Sequence, residues 1–463
     1  MRISELKNNL VAVLGYGMEG RAVTKYLLKN GVKPVIFDQK TWDQQDQQAR
    51  DEIRSLGLNF IFGPDSFKEM AGFKIAFRSP GIPLDEPGLQ AAVKKGLRLT
   101  SQTSWFFEHC KAKIIGITGT KGKGTTSALI YEALKRSAQA NRGAFKAYLT
   151  GNIGKIQPLD FLDRLRPADW VVYELSSFQL QDLKRSPHIG VILMVTSEHL
   201  DYHKSPAEYV NAKAAIARFQ QPNDFAVINS DYKNSLKIGK LGKGKKYFIS
   251  RLRPTAPGCY VRQGWIYLKL TGRAPQKICS IGELKLKGEH NLENACAAIA
   301  AARLAGAELK PIQDACANFT GLEHRLQLVA QKKGLKFYND SFSTAPETAI
   351  AAIKAFSEPL ILILGGSSKN SDFRPLAREI TAQTNIKAII LIGQESPRLK
   401  NLLKSFSGKL LEGPKSMKEI FAQIKSVAQK GDTVLLSPAC ASFGMFKNYK
   451  DRGEQFTQWA KNW

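Results

Sequence analysis

The chain has 463 residues, 43% of them hydrophobic, and carries a formal net charge of +28 at pH 7. A chain of this length exceeds one hydrophobic core and predicts about three domains. No apolar run approaches the roughly 20 residues that cross a bilayer, and the first residues lack the apolar segment of a secretory signal, so we expect a cytoplasmic protein with no membrane partner. The six cysteines include no C-x-x-C pair, which excludes the common zinc and redox motifs.

In the first hundred residues, strand-like apolar runs alternate with helix-like patterns, which predicts a parallel, Rossmann-like sheet. These runs cover residues 10–14, 34–37 and 74–77. Gly15, Gly17 and Gly20 form a G-x-G-x-x-G motif, and Asp38 follows about 20 residues later. Alone, the motif suggests a nicotinamide dehydrogenase. It indicates only that a phosphate or sugar approaches this turn, so other ligands stay open here.

A second strand-to-helix junction carries the most informative motif of the chain. An apolar run from Ile114 ends at Gly119-Thr-Lys-Gly-Lys-Gly-Thr-Thr126, where a helical pattern starts. Glycines let backbone N–H groups approach a polyphosphate, and a helix N-terminus favours the anion. Lys123 adds a positive charge, and a following hydroxyl can hold Mg²⁺. Ile117 occupies the first glycine position of the strict Walker motif, yet the Gly-Lys pair at this junction still predicts a nucleotide-phosphate site.

The strand–helix alternation continues through the rest of the chain. Further strand-like runs cover residues 170–174, 190–195, 225–228, 337–338, 360–364, 388–392 and 433–436, with an Ala-rich helix at 291–307. We therefore predict an α/β protein of three domains. They are a Rossmann-like N-terminal domain at 1–107, a P-loop ATPase-like central domain at 108–321 and a Rossmann-like C-terminal domain at 322–463.

The positive charge invites a nucleic-acid interpretation. The densest group of lysines lies in a Gly-rich segment, which is interpreted as a solvated loop within a strand-rich region at 231–287. The group comprises Lys233, Lys237, Lys240, Lys243, Lys245 and Lys246. Neither an aromatic-basic RNA motif nor a Cys/His finger accompanies these lysines. We expect a basic surface suited to anionic substrates and no nucleic-acid partner.

Several polar residues follow predicted strands, at the edge where open α/β sheets bind ligands. Glu174 ends a buried-type strand, where a carboxylate is costly unless a cation pairs with it, and this predicts a Mg²⁺ ligand. His199, between Glu198 and Asp201, is a candidate ligand of a second Mg²⁺, although Mg²⁺ prefers oxygen. Lys213, on a short helical segment, is interpreted from its neighbours alone as a surface lysine.

Four residues nearer the C-terminus suit a nucleotide clamp. Asn291 and Asn294, three apart on a predicted helix, could grip a purine or a phosphate, or Asn291 could cap that helix. Arg325 and Asp340 could contact a nucleotide or form a structural ion pair.

Taken together, eight segments in this order resemble the Mur ligases, the ATP-dependent amino-acid ligases of peptidoglycan synthesis. They cover residues 119–123, 151–154, 173–179, 198–201, 288–295, 321–325, 339–341 and 437–443. The similarity runs nearly end to end and is greatest to the glutamate-adding branch. It implies an N-terminal domain that holds a UDP group, a central ATPase and a C-terminal domain that closes over the site. It makes the dehydrogenase interpretation much weaker.

The resemblance implies ligation of D-glutamate to UDP-N-acetylmuramoyl-L-alanine through an acyl phosphate, with ATP and two Mg²⁺ ions. Small molecules would be the only partners of a monomeric enzyme that serves cell-wall synthesis, cell shape and division. Lys123 would stabilise the transferring phosphoryl group. Glu174, His199 and Thr125 would hold metal, and Lys213 matches the lysine that this family carbamylates to make a metal ligand.

The resemblance also implies the binding residues. ATP would contact Gly119, Thr120, Lys121, Gly122, Lys123, Gly124, Thr125, Asn291, Asn294, Arg325 and Asp340. The UDP substrate would contact Gly17, Met18, Glu19, Asp38, Gln39, Ser79, Gly81, Asn152 and Ser176, with Asn152 near the metal and phosphate. Glutamate would contact Thr344, Lys369, Ser442, Phe443 and Tyr449.

Four residues depart from the family pattern: Lys121, Gly124, Phe342 and Tyr449. Since Gly124 replaces a Ser or Thr, Thr125 or Thr126 must supply the Mg²⁺ hydroxyl, unless water does. Phe342 replaces a lysine and Tyr449 a phenylalanine, both near the expected glutamate. A sister ligase that adds L-glutamate or another amino acid therefore stays open. Folylpolyglutamate synthetase shares the style of the P-loop, but the segment at 437–442 argues against it.

Overall fold

The computed structural model describes residues 1–153, 156–196, 202–368 and 371–463. The chain forms two compact units, one comprising residues 1–278 and 293–315 and the other 279–292 and 316–463. Three sheets carry the fold. The predicted α/β class is confirmed, while the domain boundaries at 107/108 and 321/322 stay predictions.

The N-terminal sheet has five parallel strands with β1 at its centre. The strands are β1 (Val11–Leu14), β2 (Val35–Asp38), β3 (Asn59–Phe62), β4 (Ile75–Arg78) and β5 (Arg98–Thr100), in the order β3-β2-β1-β4-β5. The helices are α1 (Ile3–Lys7), α2 (Met18–Lys29), α3 (Gln47–Ser55), α4 (Pro87–Lys94) and α5 (Gln102–His109). This is the Rossmann-like strand order, and the turn after β1 leads into α2.

The central sheet has nine strands. They are β6 (Lys113–Thr118), β7 (Ala147–Gly151), β8 (Trp170–Glu174), β9 (Ile189–Ile192), β10 (Phe225–Asn229), β11 (Lys245–Ser250), β12 (Gly258–Arg262), β13 (Trp265–Lys269) and β14 (Gln276–Ser280). Their order is β14-β13-β12-β11-β10-β9-β6-β8-β7, parallel from β7 to β12 and antiparallel between β12 and β13. The helices are α6 (Lys123–Ala140), α7 (Ser177–Leu180), α8 (Pro206–Ala212), α9 (Ala215–Arg218), α10 (Lys233–Gly239), α11 (His290–Leu304) and α12 (Leu309–Asn318).

Helix α5 joins the first two sheets through aromatic packing. Trp105 packs against Tyr26 and Phe77 of the N-terminal sheet layer, with ring centroids 6.4 and 5.5 Å apart. The next residue, Phe106, packs edge-on against Tyr173 of β8 at 5.7 Å. Because Trp105 and Phe106 are fully buried and belong to one core cluster, the two sheets share one hydrophobic core.

The second unit has a six-stranded sheet with helices on both faces. Its strands are β15 (Gln327–Lys332), β16 (Leu335–Asn339), β17 (Leu360–Gly365), β18 (Ile386–Ile392), β19 (Lys409–Leu411) and β20 (Thr433–Leu436), in the order β15-β16-β20-β17-β18-β19. All are parallel except β15, which pairs antiparallel with β16. The helices are α13 (Pro346–Ile353), α14 (Arg374–Ala382), α15 (Ser396–Leu402), α16 (Met417–Val427) and α17 (Tyr449–Lys461).

The interpretation of the lysine-rich segment as a solvated loop is wrong. Its first half is α10, in which Ile238 and Gly239 are buried, and its end is β11. A Cβ at Gly239 would lie 2.4 Å from Ile228 Cδ1, and one at Gly242 would lie 1.9 Å from the Ala217 carbonyl oxygen. The glycines of this segment therefore serve close packing rather than flexibility. Among the residues that the structure describes, no helix is both long and apolar enough to cross a bilayer.

Candidate active site

The P-loop runs from the end of β6 to the start of α6, at the predicted strand-to-helix junction. Gly122 caps α6 with φ +88°, a left-handed conformation that glycine adopts without strain. A Cβ there would lie 2.2 Å from Asn294 Oδ1. Asn294 is buried and accepts a hydrogen bond from Thr126 Oγ1 at 3.3 Å. The structure therefore places Asn294 against the P-loop backbone, which it helps to shape.

Two lysines converge on one carbonyl of the P-loop. Lys123 Nζ donates to the Gly119 and Thr120 carbonyl oxygens, both at 3.0 Å. Lys213 Nζ donates to the Gly119 carbonyl at 3.2 Å and lies 3.4 Å from Thr118 Oγ1. The positive charge of Lys123, at a Gly-rich turn and a helix N-terminus, suits a strongly charged anion, and Lys213 lies beside it.

The interpretation of Lys213 as a surface lysine is wrong, because only 1% of this residue is exposed. It lies between α8 and α9, and Tyr209 on α8 covers it, with Lys213 Nζ 4.6 Å from the ring centroid. The Tyr209 hydroxyl lies 3.2 Å from Thr120 Oγ1, which accepts from the Thr196 N–H at 3.0 Å. Sequence reasoning missed Tyr209. The available signal was an aromatic residue four positions before a lysine, on the same helical face.

Glu174 ends β8 at the edge of the sheet where β6 leads into the P-loop. It pairs in register with Ile117 of β6 and Gly151 of β7, and only 7% of it is exposed. A carboxylate this buried is stable only when it is hydrogen-bonded, paired with a charge or bound to a cation. Thr126 is fully buried and bonded to Asn294, whereas Thr125 is half-buried, which leaves Thr125 as the better hydroxyl for a metal.

These oxygen donors fit Mg²⁺, which binds through one or two protein oxygens, waters and substrate phosphates. The described residues contain no group of three or more His, Cys, Asp or Glu side chains that could hold a metal by themselves. His199, the other predicted ligand, lies outside the described residues together with Glu198 and Asp201.

The glycine-rich turn after β1 carries the predicted UDP-binding residues of the first unit. The Tyr16 N–H donates to Asp38 Oδ2 at 2.8 Å, and Ser79 Oγ donates to the Gly15 carbonyl at 3.0 Å. Gly17 caps α2 without any side-chain hydrogen bond, so the cap residue satisfies none of the first N–H groups of that helix. Met18 is 73% exposed and offers an apolar surface next to this turn.

The remaining predicted UDP-binding residues divide into exposed and inward-facing ones. Gln39, Gly81 and Asn152 are exposed. Ser176 caps α7 and bonds to Gln179, whereas the Glu19 carboxylate faces inward and accepts from Gln179 Nε2 at 2.7 Å.

Arg78 and Asp182, which the sequence analysis did not single out, hold the Ser79 turn in place. Arg78 is fully buried, forms an ion pair with Asp182 at 2.7 Å, and donates to the Pro80 carbonyl at 3.2 Å. A buried arginine at a strand end is costly unless paired, so the pair anchors this turn to the segment after α7.

In the second unit, Arg325 lies on a strained loop beside Asp340. His324 and Leu326 on either side have φ of +64° and +43°. The Leu326 N–H donates to Asp340 Oδ1 at 3.1 Å, and Ser437 Oγ donates to Asp340 Oδ2 at 2.8 Å. Burial raises the pKa of Asp340 to about 7. Strain of this kind persists only where surrounding contacts hold it and is concentrated at functional sites.

The Arg325 guanidinium stacks on Phe342, the residue that replaces a family lysine. Arg325 Cζ lies 4.1 Å from the Phe342 ring centroid, and Tyr449 meets the same ring edge-on at 5.1 Å. Phe342 is 41% exposed, and its ring face binds the Arg325 cation.

The predicted glutamate-binding residues lie on three segments of this unit. Ser442 is buried, Thr344 is half-buried, and Phe443 is 64% exposed, with its carbonyl accepting from Ser367 Oγ. Lys369 lies outside the described residues. Asn291, a predicted ATP-binding residue for which capping of α11 was the alternative, lies inside the first turn of that helix, and its Nδ2 donates to the Lys287 carbonyl at 2.6 Å.

Family models match three successive parts of the chain. The Mur ligase MurD-like N-terminal domain matches residues 9–101, the Mur ligase middle domain 117–302, and the Mur ligase glutamate ligase domain 324–440. The UDP-N-acetylmuramoylalanine–D-glutamate ligase of Symbiobacterium thermophilum is 36% identical over 96% of each chain. That of Acetivibrio thermocellus is 35% identical over 98% of this chain and 96% of its own. The chain belongs to the Mur ligase family. The predicted resemblance and the ligase class are confirmed.

Solved Mur ligase structures share the fold of this Mur ligase. MurF from Acinetobacter baumannii aligns with a TM-score of 0.63 and 14% identity over 100% of this chain and 98% of its own. The UDP-N-acetylmuramate–alanine ligase MurC from Thermotoga maritima aligns with a TM-score of 0.58 and 17% identity over 98% and 99%. At these identities the likeness shows the fold alone, and the predicted three-domain α/β architecture is confirmed.

Arg452 on α17 is a further buried charged residue that the sequence analysis of this Mur ligase missed. Its Nε donates to Ser341 Oγ at 2.9 Å, and its Nη1 donates to the Cys440 carbonyl at 3.3 Å. Burial lowers its pKa to about 10. Arg452 thereby joins two of the family segments, 339–341 and 437–443, and orders the backbone that carries Ser442. An arginine in an otherwise amphipathic helix gave no signal of this burial.

Proposed function

We propose that this Mur ligase joins D-glutamate to UDP-N-acetylmuramoyl-L-alanine with hydrolysis of ATP to ADP and phosphate. The observation that carries the reaction class is the convergence of Lys123 and Lys213 on the Gly119 carbonyl, at the end of β6 next to Glu174. The substrates follow from relatives of that name, which are 34–36% identical over at least 96% of each chain.

The first step activates the terminal alanine carboxylate. A carboxylate is a poor acyl donor because oxide is a poor leaving group, so its oxygen attacks the γ-phosphorus of ATP, giving an acyl phosphate and ADP. Lys123 and the N-terminus of α6 stabilise negative charge on the transferring phosphoryl oxygens. Glu174 and Thr125, with His199, would hold Mg²⁺, which neutralises phosphate charge when bound.

The second step forms the amide bond. The neutral amine of glutamate attacks the acyl carbon, a tetrahedral intermediate forms, the amine loses a proton and phosphate leaves. Thr344, Ser442, Phe443 and Tyr449, with Lys369, are proposed to hold the incoming glutamate. Arg325 and Asp340 are proposed to hold ATP, supported by the strained loop that presents them.

The UDP end of the substrate is assigned to the turn after β1. The uncapped N-terminus of α2 suits a diphosphate, and exposed Met18 suits the flat face of uracil. Asp38 holds the turn through the Tyr16 N–H and ends β2 beside it. We assign the enzyme to the cytoplasm, as a monomer that serves cell-wall synthesis and so cell shape and division.

The test is phosphate release from ATP and Mg²⁺ with UDP-N-acetylmuramoyl-L-alanine and either D- or L-glutamate. Turnover with D-glutamate alone supports the proposal. Turnover with L-glutamate alone moves the assignment to a sister ligase, for which the Phe342–Arg325 stack is the motivating observation. No turnover with either amino acid contradicts both.

Lys123 offers the matched variant for this assay. In Lys123→Ala we expect turnover to fall by about 10³-fold or more, because a positive charge on the transferring phosphoryl group is lost. Binding of the UDP substrate should change less than about twofold. Lys135→Ala, an exposed lysine on the same helix, is the control and should turn over like the wild type. Near-normal turnover in Lys123→Ala would remove the P-loop from the mechanism.

A further inference from the structure

Glu19 lies where the UDP diphosphate is expected, yet its carboxylate faces away from solvent. It belongs to the first turn of α2, whose cap, Gly17, supplies no side-chain hydrogen bond. An ionised carboxylate at such a helix start would compete with a diphosphate for the same N–H groups and repel it.

Gln179 determines how the Glu19 carboxyl group is bonded. Gln179 Oε1 accepts from the Ser176 N–H at 3.0 Å and lies 3.2 Å from Ser176 Oγ, which identifies Nε2 as the amide donor. Nε2 donates to Glu19 Oε1 at 2.7 Å. Oε1 is therefore the acceptor oxygen of Glu19. Among the described residues, buried Oε2 has no hydrogen-bond partner.

An ionised Glu19 would leave charge on this buried, undonated oxygen, whereas a neutral acid carries its proton there. Burial raises the pKa of Glu19 to about 7, in spite of Gln179 and Arg78. The charged and titratable groups that face it are Arg78, which is engaged in its ion pair with Asp182, Asp182 itself, and Tyr173, whose hydroxyl lies 3.2 Å from Thr103 Oγ1. None of them supplies Oε2 with a donor.

We propose that Glu19 is a positioning residue for the UDP diphosphate that works as a neutral carboxylic acid, so that its ionisation weakens binding of the nucleotide substrate. In the neutral form it ties the first turn of α2 to the 176–179 segment that follows Glu174, without placing negative charge beside the phosphates. This inference rests on the proposed function, because it takes a UDP-linked diphosphate as the ligand of this turn.

The test measures the Kd of UDP-N-acetylmuramoyl-L-alanine by calorimetry between pH 6 and pH 9, without ATP. The carboxylate and the diester phosphates of the ligand ionise well below pH 6, and its uracil N3–H, which ionises only above about pH 9, affects the wild type and Glu19→Gln alike. Wild-type binding should be level well below pH 7 and weaken progressively above it, by at most about tenfold per pH unit. Glu19→Gln, which keeps an acceptor for Gln179 and is always neutral, should bind tightly with a level profile.

Glu69→Gln is the control, since it removes an exposed charge from the same sheet layer and should keep the wild-type slope. A level wild-type profile, a wild-type slope in Glu19→Gln, or loss of binding in Glu19→Gln at every pH would each overturn the role of Glu19 while leaving the proposed substrate intact. Absence of wild-type binding at every pH would overturn the proposed function and this inference with it.

Discussion

Lys213 is a buried lysine whose ammonium nitrogen lies between the Gly119 carbonyl and the Tyr209 ring. Burial of this kind disfavours the charged form of an amine, and the neutral form is a nucleophile. A neutral amine adds CO₂ to form a carbamate, which turns a cation into an oxygen ligand. We propose that Lys213 is carbamylated in the working enzyme, near the proposed metal-binding residues.

Carbamylation of Lys213 predicts that turnover depends on dissolved CO₂. In buffer depleted of CO₂ at alkaline pH, turnover should fall several-fold, and added bicarbonate should restore it. The measurement is phosphate release at saturating substrates. Lys213→Arg, which cannot form the carbamate, should show low turnover with no bicarbonate response. Wild-type turnover that ignores CO₂ would contradict carbamylation and leave Lys213 with a role as an ammonium.

At the scale of elements, the P-loop depends on close contact between its backbone and α11. Asn294 Oδ1, on that helix, lies 2.2 Å from the position that a Cβ of residue 122 would take. It also accepts a hydrogen bond from Thr126 Oγ1 of α6. The loop conformation is therefore set by three elements, β6, α6 and α11, rather than by local glycine content. Two features oppose a side chain at Gly122: its left-handed φ and the contact with Asn294.

Gly122→Ala tests the contact separately from the backbone strain. The control is Gly143→Ala, in the turn after α6, where φ is +76° but nothing lies within 4 Å of an added Cβ. Strain alone should cost about 1–2 kcal/mol of unfolding free energy in either variant. Only Gly122→Ala should also lose ATP-dependent phosphate release, by at least about tenfold. Equal turnover in the two variants would show that the Asn294 contact is dispensable. Turnover and thermal unfolding are both measured.

At the scale of the whole molecule, the net charge of +28 is spread over many surface lysines and arginines. Copies of the chain repel one another, and salt screens this repulsion over a Debye length of about 8 Å at physiological ionic strength. Only a few of the lysines and arginines belong to the proposed sites.

We expect light scattering to give a mass near 51.3 kDa, that of one chain, at both low and high salt. The physical reason is like-charge repulsion at low salt, together with a proposed mechanism that needs only one chain. Salt titration serves as the internal control, because it removes the repulsion without altering the fold. A doubled mass that persists in 0.5 M salt, roughly a 4 Å screening length, would contradict the monomer.

The sequence by itself determined several central strands and the glycine-rich turns that follow them. Strands at 170–174 and 433–436 were predicted at every residue, because apolar runs that end in polar or glycine turns are local patterns. The Gly-Lys junction was likewise readable, since a strand, a glycine turn and a helix start are adjacent in the chain. The family segments in their order then implied the ligase.

Only the tertiary structure decided which polar residues are buried and what they touch. Lys213, Arg78 and Arg452 look like surface charges in the sequence, since nothing nearby in the chain marks their burial. Glu19 is hydrogen-bonded to Gln179, 160 positions away in the sequence, and Asn294 is hydrogen-bonded to Thr126, 168 positions away. Such contacts arise when separate sheets and helices pack into one core, and packing depends on the whole chain rather than on local pattern.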